Sequence, residues 1–190
     1  MFQDIQLGDL VIVGVDPGVS HMGMCAMYVT PDLSTIKHIA AKTTHGDHAE
    51  LETYLTTNID ERYTKIIYHE HNLSNWISYH DPSYVVYEKP FIQGSRPQAY
   101  GALVESTMCI KRAVYGTSRY IYVYEYTPLN IKRSIGVKNF HSKDYVLEAI
   151  QNIPELYELL KNKMSLLDDH ALDSIAVAYT HLNNLRNNLV

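Results

Sequence analysis

Apolar positions along the 190-residue chain fall into short β-favouring runs first and longer helical patterns later. Leu10 to Val15 is an unbroken apolar run, which predicts a strand buried on both faces. It stops at the turn signal Asp16-Pro17-Gly18. Met22–Val29 and Ile36–Lys42 predict a second and a third strand, with links short enough for an antiparallel meander. A polar helical stretch is expected from about Asp47 to Tyr63, continuing towards Tyr79 until Asp81-Pro82 breaks it. Tyr84–Tyr87 predicts a fourth strand with Glu88 at its exit. Pro97–Tyr115 predicts a helix, with Pro97 suited to its first turn. Tyr120–Tyr126, β-branched and aromatic, predicts a fifth strand, followed by two short helices and a last helix from about Asp168 to Arg186. This order describes one α/β domain over residues 1–190, with a mixed sheet and no internal repeat or linker.

Composition narrows the class. The chain is 46% hydrophobic and 19% charged, which is globular and excludes collagen, low complexity and disorder. No apolar run approaches the roughly 20 residues of a membrane span, and Cys25 and Cys109 stand far apart inside apolar stretches, as small buried hydrophobes do. A soluble, intracellular, cytoplasmic protein is therefore expected, in a host cell if the source is a phage or virus. The formal charge is −5, which taken alone argues against a nucleic-acid partner. The charge is unevenly spread, however. Between Val85 and Lys143, nine cations (Lys89, Arg96, Lys111, Arg112, Arg119, Lys132, Arg133, Lys138, Lys143) face three anions, a local +6 against −11 elsewhere. A basic middle in an acidic body attracts phosphate locally; a solvated face is the competing reading.

The best-placed carboxylates are Asp16 and Glu88, each ending a predicted strand, and Asp173 near the front of a predicted helix that continues Ile175-Ala176-Val177-Ala178. Strand ends line the functional crevice of open α/β sheets. His170 and Asp173, three apart, share a helix face. Carboxylates and an imidazole converging on one cleft point to a divalent cation that also holds phosphate. Helix caps and an Asx turn are the alternative for each residue taken singly.

Four motifs resemble the RuvC family of Holliday junction resolvases in the RNase H-like superfamily. Val13-Gly14-Val15-Asp16-Pro17-Gly18 resembles the opening strand with its first catalytic Asp, and Tyr87-Glu88-Lys89-Pro90-Phe91 the fourth-strand Glu followed three residues later by an aromatic. Tyr124-Glu125-Tyr126 with Lys132 and Lys143 repeats the fifth strand and its two active-site lysines. His170 to His181 resembles the closing helix. His170 stands where the family often carries Asp, and neighbouring Asp169 is the other candidate for that role. The segment between Asp47 and Tyr84 is long and polar for the family.

The resemblance implies an RNase H-like fold, with three antiparallel strands then two parallel ones, and a crossover junction endodeoxyribonuclease acting in DNA recombination and repair. Asp16, Glu88, His170 and Asp173 would hold two Mg²⁺ (Mn²⁺ substituting), with Lys132 and Lys143 at the phosphate. Phe91 would stack on a base at the branch point, and Lys89, Arg96, Arg133 and Lys138 would contact DNA. Two symmetric cuts in a four-way junction ask for a homodimer, for which the Pro97–Tyr115 helix (Ala102, Leu103, Met108, Ile110, Val114) is a candidate interface beside its alternative of packing on the sheet. Small size fits a phage- or virus-encoded member, with bacterial and organellar sources open.

Competing functions are a nuclease acting on other branched DNA or RNA–DNA hybrids, a non-catalytic junction binder, and an actin-like or sugar-kinase ATP-binding protein. The last needs a second Gly-rich phosphate loop and roughly twice the length. Two readings concern remaining features. The alternating Tyr120, Tyr122, Tyr124 and Tyr126 are a packing stripe before they are a DNA surface, and His69-Glu70-His71 and His45-Gly46-Asp47-His48 are surface histidines rather than zinc ligands.

Overall fold

The computed structural model describes residues 8–48, 60–91, 97–118, 120–137 and 145–190. Five strands, β1 (Leu10–Asp16), β2 (His21–Val29), β3 (Ile36–His45), β4 (Tyr84–Glu88) and β5 (Tyr122–Tyr126), form one sheet in the order β3-β2-β1-β4-β5. β1 is antiparallel to β2 and parallel to β4; β2–β3 is antiparallel and β4–β5 parallel. The expected mixed sheet of an α/β fold is therefore present. Its helices are α1 (Glu61–His80), α2 (Pro97–Thr117), α3 (Pro128–Ser134), α4 (Tyr145–Gln151), α5 (Pro154–Leu160) and α6 (Asp169–Arg186). No helix among the described residues is long and apolar enough to cross a membrane.

Strand alternation distributes β1 between two cores. Val11, Val13 and Val15 join Ile66, Leu73 and Ile77 of α1 and Ile110 and Val114 of α2. Ile12 joins Val86, Ile150, Leu156 and the apolar side of α6 on the opposite face. Helices on both faces are why β1 is apolar at nearly every position. Cys25 and Cys109 are free and buried, one in each core, and burial pushes both thiols up.

Several expectations need correction. Gly46–His48 is a short 3-10 turn, residues 49–59 lie outside the described residues, and the regular helix begins at Glu61. Asp60 sets that start, its carboxylate accepting the Arg62 amide at 2.8 Å, and Asp81 in the left-handed region (φ 44°) ends it. β3 runs on to His45, three residues past the expected end, because β2 offers partners as far as His21. Three short helices and a 3-10 turn (Met164–Leu166), rather than two helices, precede α6. The tyrosine stripe is graded: Tyr126 is buried, Tyr124 half-buried, Tyr122 64% exposed, and Tyr120 lies before the strand at 91%. β5 is the sheet edge, and His181 of α6 covers only Tyr124 and Tyr126 of that row.

His69 is not a surface histidine. It is fully buried, its Nε2–H donating to the Val19 carbonyl (2.8 Å) and its Nδ1 meeting the Thr44 hydroxyl (2.7 Å). His80 and His181 are also buried, on the hydroxyls of Tyr28 (2.6 Å) and Tyr126 (2.7 Å). Burial lowers all three imidazoles to about 4. The unfolded chain takes up protons near pH 6.5 that the native state refuses, so stability present above that pH is lost as pH falls towards 4. Across that window these three groups, taken by themselves, lower the unfolding temperature as pH falls. His69→Gln removes one of these contributions, so its unfolding temperature should fall less than the wild type's as pH is lowered; identical pH slopes in the two proteins would refute the assignment.

Candidate active site

The site lies where β1 and β4 end against the front of α6. The parallel register pairs Val15 with Tyr87, so the next residues along the two strands are Asp16 and Glu88. Both share their face with Ile12 and Val86, the α6 side of the sheet. α6 can sit directly on that face because Gly14 and Gly23 carry no side chain there. A Cβ on Gly14 would overlap the Ser174 carbonyl oxygen and stand 2.8 Å from the Ala178 nitrogen, and one on Gly23 would overlap the His170 carbonyl. The backbone contact brings the first turn of α6, with His170 and Asp173, to the exits of β1 and β4.

A cleft of about 360 Å³ results, lined by Asp16, Glu88, Asp173, Lys132, Phe91 and Tyr145 among others. His170 Nδ1 lies 2.8 Å from Asp16 Oδ2, and this hydrogen bond raises the imidazole above its ordinary pKa. Asp169 is exposed, so His170 is the residue of that pair that reaches Asp16. Burial, then the charges of Asp16 and Asp173, push Glu88 up to about 8, with Lys132 opposing. Burial, then Asp16, push Asp173 up to about 7, opposed by His170 and Lys132. Three half-buried carboxylates are thus crowded against one another with too little positive charge beside them.

Among the described residues, no group of three or more His, Cys, Asp or Glu side chains is already arranged to hold a metal ion. The donor set nevertheless fits a hard divalent cation. All three carboxylates are oxygen donors, and the raised pKa values of Glu88 and Asp173 express the electrostatic cost that a cation would offset.

Phe91 stands at the cleft with 60% of its surface exposed rather than in the core. Lys132 lies over the Tyr145 ring at 4.4 Å. Lys89 pairs with Glu125 at 2.8 Å, and that carboxylate also accepts from the Tyr87 hydroxyl at 3.0 Å. Arg133 lies apart from the cleft, in a polar groove with Asn130 of its own helix and Asn183, Asn184 and Asn187. Arg96, Lys138 and Lys143 lie outside the described residues. Of the candidate interface side chains on α2, Ile110 and Val114 belong to the core, while Met108 is exposed.

Sequence reasoning missed a supporting ring on the β2–β3 side. His21 stacks on His170, and Thr43 donates to Asp168, which caps α6 by accepting the Ala171 amide at 2.9 Å. Burial works against the Asp168 anion, but these two hydrogen bonds outweigh it and hold the carboxyl below its usual range. One signal was available: His21 begins the strand after a tight turn from Asp16, and therefore returns to the same end of the sheet.

The family model described as crossover junction endodeoxyribonuclease RuvC matches residues 12–181. The chain belongs to the RuvC family. That family comprises metal-dependent nucleases. The crossover junction endodeoxyribonuclease RuvC of Pseudothermotoga lettingae is 30% identical over 172 residues, 90% of this chain and 93% of the relative. The RuvC of Prochlorococcus marinus is 28% identical over the same share of the chain and 96% of its own. Among solved structures, RuvC of T. thermophilus in complex with Holliday junction substrate aligns with a TM-score of 0.63 at 16% identity, covering 94% of this chain and 96% of that one. The yeast mitochondrial Holliday junction resolvase aligns with a TM-score of 0.63 at 14% identity, covering 98% and 86%. These likenesses show that the RuvC fold extends across the whole described sheet and its helices.

Proposed function

We propose that this protein is a structure-selective endonuclease that resolves four-way DNA junctions by paired symmetric nicks, as a homodimer using Mg²⁺, with Mn²⁺ able to substitute. The observation that carries this is one cleft holding Asp16, Glu88 and Asp173 beside a cation, Lys132, and an exposed ring, Phe91. A binding module would gain nothing from three carboxylates facing phosphate, since each repels the DNA backbone. A hydrolase gains the ligands of its metal.

Asp16, Glu88 and Asp173, with His170, would hold two ions. Held there, the metal would supply hydrolytic chemistry, activating water for attack and offsetting charge on the leaving 3′ oxygen. Lys132 balances negative charge where the scissile phosphate enters, and Lys143 is proposed to join it. Phe91 offers a stacking face to a base exposed at the branch point. Lys89, Arg96, Arg133 and Lys138 are proposed to hold the arms by their phosphates. Lys89 must exchange Glu125 for that phosphate. Two such sites related by a two-fold axis match the two equivalent strands of a junction.

Incubation with a synthetic mobile four-way junction, a flap, an RNA–DNA hybrid and plain duplex in Mg²⁺ tests this. Symmetric, re-ligatable nicks in opposing strands of the junction are expected. Preferential cutting of the hybrid would defeat the proposal in favour of an RNase H activity.

A further inference from the structure

The first turn of α6 is braced from one side by histidines that no step of the proposed reaction uses. In the antiparallel registers, Asp16 pairs with Gly23, and His21 with His45. His21 lies two residues from Gly23 on the same strand, and so shares the face on which α6 rests. Its ring is 5.1 Å from that of His170, centroid to centroid, and within 17° of parallel. His45 meets the His21 ring edge-on, at 5.0 Å and 84°. Beyond them, Thr43 holds the cap residue Asp168 at 2.5 Å.

An imidazole turns easily about its outer torsion, and a half turn puts Cδ2 where Nδ1 stood and Cε1 where Nε2 stood. One hydrogen bond between Nδ1 and a carboxylate, which water can replace, does not by itself keep the ring from that turn. A ring stacked face to face at one side and tied to Asp16 at its edge has far less freedom. We propose that His21 is a positioning residue: its ring, braced by His45, holds the His170 imidazole in the orientation that presents Nδ1 to Asp16. The nitrogen left over for metal or proton is thereby decided before the substrate arrives. This rests on the resolvase reading given above.

Outer groups that orient a metal-site histidine are worth about 10–100-fold in metal affinity or activity. His21→Ala is expected to slow single-turnover junction cleavage by about that factor, with junction affinity in Ca²⁺ changed less than about 2-fold. His21→Phe keeps a stacking face and should restore the rate to within a few-fold of wild type. In ¹⁵N-histidine spectra of the metal-free protein, the His170 ring nitrogens should show one fixed tautomer in the wild type and in His21→Phe, and averaged signals in His21→Ala. Wild-type cleavage by His21→Ala, a His21→Phe as slow as His21→Ala, or unchanged His170 signals would each overturn the proposal. Should His21→Ala fail to fold, His21→Asn against His21→Phe carries the same contrast. A wild-type protein that cuts no junction would instead refute the functional reading, because the ring signals are read without metal or DNA.

Discussion

Glu88→Gln is expected to reduce junction cleavage by at least about 10³-fold, roughly 4 kcal/mol of transition-state stabilisation, while leaving junction binding in Ca²⁺ or EDTA intact. The change is nearly isosteric and removes a single negative charge. Glu88 shares the cleft with Asp16 and Asp173, and its carboxyl is raised to about 8 by burial and by those two anions. Taking one anion from the set weakens the hold on any cation, and with it whatever nucleophile that cation prepares. Stability should move the other way. Without metal, the crowded carboxylates cost free energy, so the variant should unfold at the wild-type temperature or higher. Asp16→Asn and Asp173→Asn are expected to lose cleavage to the same extent. Asp16→Asn also changes the group that His170 meets at 2.8 Å. Full cleavage by any of the three would remove that residue from the site. Cleavage lost together with junction binding would mean that the carboxylates act in recognition rather than chemistry.

The site is legible in the sequence because it stands at the ends of regular elements. A valine-rich strand stopped by Asp16-Pro17-Gly18, a short strand ending in Glu88 and an apolar helix opening with His170 and Asp173 each carry a periodicity that a single chain displays locally. Two parallel strands in one sheet then bring Asp16 and Glu88 to the same end of it. The parts that escaped are set by tertiary contact. The polar surface of α1 carries only a weak helical period, which puts its expected start near Asp47, although Asp60 is the residue that caps it. Burial of His69 depends on Thr44 and Val19 arriving from distant segments, and no local pattern marks it. The tyrosines of β5 alternate as a buried stripe would, yet the strand is the outermost of the sheet and its beginning stays in solvent. The His21–His170 stack joins residues 149 positions apart, through a helix laid across the sheet.

Gly23→Ala tests that crossing, and it is expected to be more damaging than a single added methyl suggests. The new Cβ would overlap the carbonyl oxygen of His170 and lie 2.5 Å from its carbonyl carbon, both backbone atoms. No rotamer change can relieve a clash between main chains, so the first turn of α6 must lift away from β2. Overpacking a tight interior typically costs 1–3 kcal/mol, and a contact against rigid backbone belongs at or above the top of that range. About 3 kcal/mol corresponds to a fall of roughly 6–12 °C in unfolding temperature for a chain of this size. Cleavage should suffer beyond that fall. The segment forced outward carries His170, whose ring must stay on Asp16, and lies one turn from Asp173. Gly14→Ala, which meets Ser174 and Ala178 further along the helix, supplies the comparison. It should destabilise to a similar degree while disturbing the His170–Asp16 contact less. Measured below both unfolding transitions, with junction binding confirmed in Ca²⁺, Gly23→Ala should therefore be the slower nuclease of the two. Equal cleavage by the two variants would mean that the close approach at Gly23 serves stability alone. Wild-type unfolding and cleavage in Gly23→Ala would show that α6 does not rest on β2 as described.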